Sequence, residues 1–506
     1  MKPPDGPTES RLGRVIPIVE ARREAQSDDT REKSRGKGGD KASEPELVSL
    51  YEKHRKIHPR SVSGLFATWR WAMVWATQIF FYGLPWLTWN GRQAVLFELE
   101  TRRFYLFELV FYPQDFVYLA GLLVISALAL FLFTAVAGRV WCGYACPQTV
   151  YTELFMWIER RVEGERHHRM RRDAGRINAD YVWRKTLKHI IWGLLALWTG
   201  FTFVGYFVPI QVLGFDLLSL RMGPWEGFWV LFYAFATYGN AGWLREQVCK
   251  YMCPYARFQS AMFDSGTLIV GYDTKRGEPR GARSRKQDPA TLGLGSCVDC
   301  TLCVQVCPVG IDIRDGLQYE CISCAACIDA CDTVMKRVGY APGLIRYATE
   351  DTLANPGGNR SLRKTLLRPR VLIYSGLLAA ICLAFVLSMW LRVPLKVDVI
   401  RDRATLSRVI EDGVIENVYR LHLMNASEKA QRLRIDVSGL PGLSVPEAER
   451  LSPLLAPAQA VNVVIHVHLS PDEVLAAGSH PIQFTIQEID AHDIRVLEKS
   501  VFLVPR

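Results

Sequence analysis

The stretch CVDCTLCVQVCPVGIDIRDGLQYECISCAACIDACD, residues 297–332, holds eight of the chain's thirteen cysteines. Cys-x2-Cys-x2-Cys-x3-Cys occurs in it twice, from Cys297 to Cys307 and from Cys321 to Cys331. Thiolates are soft ligands, and two-residue gaps let one tight loop wrap three corners of an iron–sulfur cubane while the fourth comes from farther away. Zinc ribbons use cysteine pairs with longer gaps, not triplets with a trailing fourth. A disulfide framework belongs in an oxidising compartment. Two 4Fe–4S clusters are therefore expected.

The spacing is that of bacterial ferredoxins with two clusters, in which the last cysteine of each run serves the other cluster. It assigns Cys297, Cys300, Cys303 and Cys331 to one cluster, and Cys321, Cys324, Cys327 and Cys307 to the other. Pro308 follows Cys307 as the pattern requires, but Asp332 stands where the second proline belongs.

Outward from this stretch the chain turns apolar. Hydrophobic residues make up 49% of 506 positions beside 22% charged ones, so apolar residues must be concentrated somewhere. Leu65 to Leu87, Phe116 to Gly138, His189 to Pro209, Trp225 to Leu244 and Val371 to Val393 are each long enough for a bilayer core, which takes about 20 residues. Arg70, near the start of the first, is expected to snorkel to the headgroups. The net charge of +10 needs no nucleic acid to explain it. Eleven Lys or Arg lie between the second and third segments and eighteen between the fourth and fifth, against three between the first and second. The positive-inside rule then places the basic loops, the N-terminus and the cluster domain in the cytoplasm, and the C-terminus in the periplasm of a bacterial inner membrane.

Two further cysteine pairs follow even-numbered spans. RVWCGYACPQTVYTELFMWIER carries Cys142 and Cys146, and VCKYMCPYARFQSAMFD carries Cys249 and Cys253, both as Cys-x3-Cys-Pro. Pro147 and Pro254 suit the first turn of a helix. Val150, Leu154, Ile158 and Val162 at steps of four predict an amphipathic helix on the membrane surface after the first pair. A helix start favours thiolate, so four such thiols on two repeats could converge as a catalytic site for a soft metal or redox step. The plainer alternative is that they are small residues packing repeat against repeat. Cys382, alone in the fifth span, reads as such a packing residue.

The remainder falls into recognisable pieces. Residues 1–60, rich in Lys, Arg, Glu, Ser and Gly, read as a disordered cytoplasmic tail in which His54 and His58 are solvated. Tyr272 to Pro289 reads as a flexible link into the cluster domain. LKVDVIRD, ENVYRLHLMN, QRLRIDVSG, AVNVVIHVHL, HPIQFTIQEI and KSVFLVP alternate at period two within 395–506 and predict an immunoglobulin-type sandwich. His422, Met424, His466 and His468 are read as outward polar positions rather than a copper site. The fold class is thus a multi-domain membrane protein: 1–60 tail, 61–270 four spans with the two repeats, 271–370 a ferredoxin-like α+β domain, 371–393 a fifth span, and 395–506 an all-β domain. No Cys-x2-Cys-His, Walker A or dinucleotide fingerprint occurs, so the electrons come from a partner donor.

These motifs together resemble the cytochrome c oxidase accessory proteins of the FixG/CcoG/RdxA type, over nearly the whole chain after the tail. The resemblance implies a role in building a cbb3-type oxidase, reducing cupric to cuprous copper. It implies oxidase subunits, copper chaperones or copper transporters as partners. A homodimer is one assembly this reading allows. The alternatives are a quinol-oxidising electron-transfer subunit feeding a reductase, against which the fifth span and the sandwich speak, and a non-catalytic assembly scaffold.

Overall fold

Long apolar stretches separated by basic loops become, in a computed structural model of the chain, helices that run between two ends of different chemistry. The structure describes residues 56–283, 292–354, 367–402, 407–410, 413–471, 476–489 and 494–505. His54 and most of the expected tail lie outside these. The principal helices are α1 (Leu65–Gly83), α2 (Phe116–Ala137), α3 (Pro147–Glu163), α4 (Arg166–Ala174), α5 (Ala179–Val204), α6 (Pro224–Tyr238), α7 (Pro254–Met262), α8 (Ala326–Val338) and α9 (Pro369–Trp390). Among the described residues three helical segments are long and apolar enough to cross a membrane: Pro113–Ala137, Ala179–Val204 and Pro369–Trp390. The other two expected spans are helical too, but α1 has 19 residues with buried Arg70 and Gln78, and α6 has 15 continued by π-helical Gly239–Leu244.

These helices pack in pairs through small residues, as membrane helices do. Gly121 of α2 faces the Phe385 ring of α9, and Tyr118 Oη donates to Ser388 O at 3.2 Å. Gly200 of α5 lies so close to α6 that a Cβ there would sit 2.3 Å from Val230 O. Their outer faces stay apolar, with Phe116, Leu123, Ile373 and Leu383 all exposed. A belt of that kind marks a surface meant for lipid rather than water.

One end is built of strands. β1 (Val95–Glu98), β2 (Arg103–Leu106) and β3 (Leu109–Phe111) form an antiparallel sheet between α1 and α2. The cysteine-free C-terminal domain seats on it. Leu96, Tyr105, Val110 and Tyr112 form one core with Met424, Ala426 and Ala458, and Tyr112 Oη donates at 3.1 Å to Asn425 O and to Ala458 O. Asp115 pairs with Arg392 at 2.6 Å and Lys396 at 3.2 Å.

The domain itself packs two sheets face to face. Six strands were legible as alternation, and all six form: Leu395–Arg401, Ile415–Asn425, Leu433–Ser438, Ala460–Leu469, Gly478–Glu488 and Arg495–Val504, with two short additions at Arg408–Val409 and Leu443–Ser444. Inward positions such as Tyr419, Leu421, Ile465, Phe484 and Phe502 are wholly buried. His466 and His468 face carboxylates, Glu449 at 2.7 Å and Glu416 at 3.0 Å, while His422 meets Asn462 at 2.7 Å. Met424 is buried, so it does not join them.

The other end gathers the cysteines, and several expectations change there. Arg70 does not snorkel: it is buried and donates to Cys324 O at 2.7 Å, because the cluster domain supplies an acceptor closer than any headgroup. The apolar face of α3, expected to meet the membrane surface, meets protein instead. It carries Phe155 and Ile158 into a core with Trp192, Ala196, Ala234 and Ala241. Behind it, buried Glu159 and Glu163 take Arg169, Arg245, Lys185 and Lys188 at 2.9–3.1 Å. Such a buried ion set rewards one arrangement of α3, α4 and α5 over others. His58 pairs with Asp173 at 3.5 Å rather than being solvated, and Arg60 N donates to Gln305 O at 2.8 Å, so the last tail residues are held.

The link after Tyr272 is also ordered over its described part. Ser296 N donates to Arg276 O and Gly295 N to Pro279 O, both at 2.8 Å, tying it to the first cysteine run. Leu268–Tyr272 and Ile345–Thr349 pair antiparallel, so the cluster domain is closed by one ladder joining its entry and exit.

Candidate metal and redox centre

Both cysteine runs trace the same path. Positive φ recurs at matching places, Asp299 and Thr301 in the first, Ser323 and Ala325 in the second. That left-handed geometry turns the loop tightly around a common centre. Cys297, Cys300, Cys303 and Cys331 line one cavity of about 360 Å³ with Tyr272, Met335 and Leu344. Cys307, Cys321, Cys324 and Cys327 line a second of about 360 Å³, which Cys303 also borders. The structure thus places the last cysteine of each run with the other run's first three. Asp332 explains the missing proline: α8 continues through it to Val338, and its carboxylate accepts from Gly343 N at 2.7 Å. A proline there would break the helix.

The chemistry of the eight donors fits a cationic metal–sulfur core. Burial pushes Cys303 and Cys321 up to about 11, and burial together with neighbouring thiols brings Cys307 and Cys331 up to about 12. Thiols so reluctant to ionise alone become thiolates when metal charge compensates them.

Cys142, Cys146, Cys249 and Cys253 are brought together by the two repeats. Cys146 and Cys253 are the N-caps of α3 and α7, with Pro147 and Pro254 at the first helical positions. Cys249 sits in a π-helical turn, Val248–Met252, a geometry found mostly at functional sites. Cys142 lies within 3.4 Å of Gln259 Oε1. The expectation of ionised thiols fails at three of the four. Burial, followed by the neighbouring thiols, pushes Cys142 to about 11 and Cys249 to about 12. Burial also raises Cys146 against the pull of the Gln148 and Thr149 backbone. The helix dipole loses to desolvation here because the pairs are packed inside the protein, not at its edge.

This four-thiol group abuts the second cysteine set. Cys142 and Cys249 pack with Cys307, Cys321 and Cys324 around Val309, Ile311 and Ile322. Gly143 makes the approach possible: a Cβ there would lie 2.7 Å from Ile322 O and 2.8 Å from Cys324 Cα. Gly143→Ala is accordingly expected to force the loop away and destabilise the protein by ~1–3 kcal/mol. Thermal unfolding of the purified variant checks it; an unchanged melting point would show the contact to be slack. Sequence reading missed Gly143, and it missed Arg139. Buried Arg139 donates to Tyr319 O and Ala256 O, and its charge favours the thiolates of Cys142, Cys249 and Cys321. One signal was available: Arg139 and Arg245 precede Cys142 and Cys249 by three and four residues. Among the described residues no group of three or more His, Cys, Asp or Glu is arranged around a single ion.

Known proteins share these features. A profile described as "4Fe-4S dicluster domain" matches residues 244–350, one described as "4Fe-4S binding domain" matches 119–164, and "IG-like fold at C-terminal of FixG" matches 385–505. The nitrogen fixation protein FixG of Rhizobium meliloti is 39% identical over 427 residues, spanning 78% of this chain and 82% of its own. Proteins RdxA and RdxB of Cereibacter sphaeroides are 40% and 41% identical, each over 78% of this chain and over 84% and 85% of their own. With its paired cysteine runs, lipid-suited helices and C-terminal sandwich, the chain belongs to the FixG family as a membrane iron–sulfur electron-transfer protein.

Proposed function

We propose that this protein reduces cupric to cuprous copper in the assembly of a cbb3-type cytochrome oxidase, with Cys142, Cys146, Cys249 and Cys253 as the working site. The observation that carries the reading is the packing of Cys142 and Cys249 against Cys307, Cys321 and Cys324. When bound, the 4Fe–4S clusters supply one electron at a time, the stoichiometry of the cupric–cuprous couple. Cuprous copper is soft, so converging thiols bind the product better than the substrate and draw the reduction forward. Arg139 favours the thiolates that form when copper binds, and Val309, Ile311 and Ile322 pack between the two thiol sets. A one-electron carrier of the reduced flavin or iron–sulfur class restores the electrons. Anaerobic reduction of cupric ion, followed with a chromophoric cuprous chelator, tests the reading; quinol oxidation without cupric reduction would move the function to the quinol class.

The proposed topology is five spans, with the cysteine end and the N-terminus cytoplasmic and the sandwich periplasmic. Its support is the basic loops gathered at the cysteine end. Copper chaperones, copper transporters or oxidase subunits are the proposed partners for the product. A reporter enzyme active only in the periplasm is expected to work when fused after Arg506 and to stay silent when fused after Lys336. The opposite pattern would invert the topology.

A further inference from the structure

A cleft open to solvent at its mouth lies between α1, α3 and the second cysteine run. Its wall includes Cys249 of the four-thiol group and Cys324 of the second cluster set, so the cleft reaches both. Five of its lining residues are arginines: Arg60, Arg70, Arg160, Arg169 and Arg245. Glu153 and Glu246 are the two carboxylates that line it; behind the wall Glu159 takes Arg169 and Arg245 at 3.0 Å, and Glu163, Glu165 and Asp329 act on Arg169 and Arg70 from farther off. On the lining itself five guanidinium groups face two carboxylates. Arg70 spends its hydrogen bond on a neutral carbonyl, and among the described residues neither Arg60 nor Arg160 has an ion-pair partner. Arg169 Nε is buried without a hydrogen-bond partner.

A concave site with unbalanced positive charge concentrates anions and repels free cations. The guanidinium fork matches carboxylate and phosphate oxygens, and Thr152, whose hydroxyl accepts from Gln148, adds a donor to the same wall. A hydrated divalent cation finds the opposite of what it needs here.

We propose that this cleft binds a small polyanionic electron acceptor, and that copper reaches the thiols as an anionic carboxylate chelate rather than as the aqua ion. The copper half rests on the function proposed above. The cupric ion in the chelate gains one electron and the reduced protein loses one. The cuprous ion then exchanges carboxylate oxygens for the sulfur of Cys249 and its neighbours. Each thiol that binds it releases its proton to water, and the carboxylate ligand leaves as a free anion.

The experiment uses the full-length protein in detergent, reduced with dithionite and freed of excess reductant. Its reoxidation is followed by absorbance with anionic iron(III)–EDTA, cationic hexaammineruthenium(III) and cupric citrate. Arg60→Gln with Arg160→Gln is expected to slow iron(III)–EDTA and cupric citrate ~10-fold at low ionic strength, within the range of electrostatic steering. The ruthenium rate should hold or rise, since the lost charge repelled it, and either result also shows that the variant keeps its fold and clusters. Metal-free citrate should compete with iron(III)–EDTA in the wild type. Equal slowing of both charge types, or no competition by citrate, overturns the cleft's role. If iron(III)–EDTA behaves as expected while cupric citrate is not reduced, the anion site stands and the copper reading falls.

Discussion

Replacing Cys142 and Cys249 together by serine is expected to leave iron content and membrane insertion intact while cupric reduction drops by on the order of a hundredfold. Even partners that only orient a metal's ligands are worth ~10–100-fold, and this change removes two candidate ligands outright. Serine alters side-chain volume little, so packing is nearly preserved. Hard oxygen replaces soft sulfur at the two positions that pack with the second cluster set, and the preference for cuprous over cupric ion goes with it. Copper bound per chain and the rate of cuprous release to a chelator are the two measurements. If both hold at wild-type values while the melting point falls, the four cysteines are packing residues, and the site lies elsewhere.

Cys307→Ala is expected to have the other large effect. The structure places Cys307 with Cys321, Cys324 and Cys327, so the cluster of the second run should go although the mutation lies in the first. Iron should fall from about eight atoms per chain to about four. Low-temperature EPR should retain the signal of the cluster held by Cys297, Cys300, Cys303 and Cys331. Because the lost cluster is the one beside the four-thiol group, cupric reduction should fall as steeply as in the double serine variant. Loss of the first cluster with the second intact would require the ligands to be redrawn.

How much of this could be read from the chain depends on the range of the interaction. The cysteine sets were legible because ligand spacing is a local constraint, repeated here with the same left-handed turns at Asp299, Thr301, Ser323 and Ala325. The sandwich strands were legible because alternation reports burial directly, residue by residue. Arg70 and Arg139 were not: a buried arginine and a snorkelling or loop arginine look the same until the acceptor, here Cys324 O or Tyr319 O, arrives from 254 or 180 residues away. The amphipathic pattern of α3 announced an apolar face but not its cover, which is Trp192 and Ala196 rather than lipid. The thiols' ionisation was misjudged for the same reason, since a dipole acts locally and burial does not.

The cluster domain is tethered on every side. A ladder closes its entry and exit, Gly143 admits its loop, and Arg70 and Arg139 hold its carbonyls. Asp329 of α8 even accepts from Phe66 N and Ala67 N, capping α1 from within the domain. Many electron carriers work by swinging a mobile head between donor and acceptor, so that solvent friction limits their turnover. Here the spacing between the second cysteine set and the four thiols is built in, so the electron path proposed above would be a soldered wire rather than a shuttle. Its internal electron transfer should therefore proceed at the same rate in water and in concentrated glycerol, leaving only the visits of donor and acceptor to slow with viscosity.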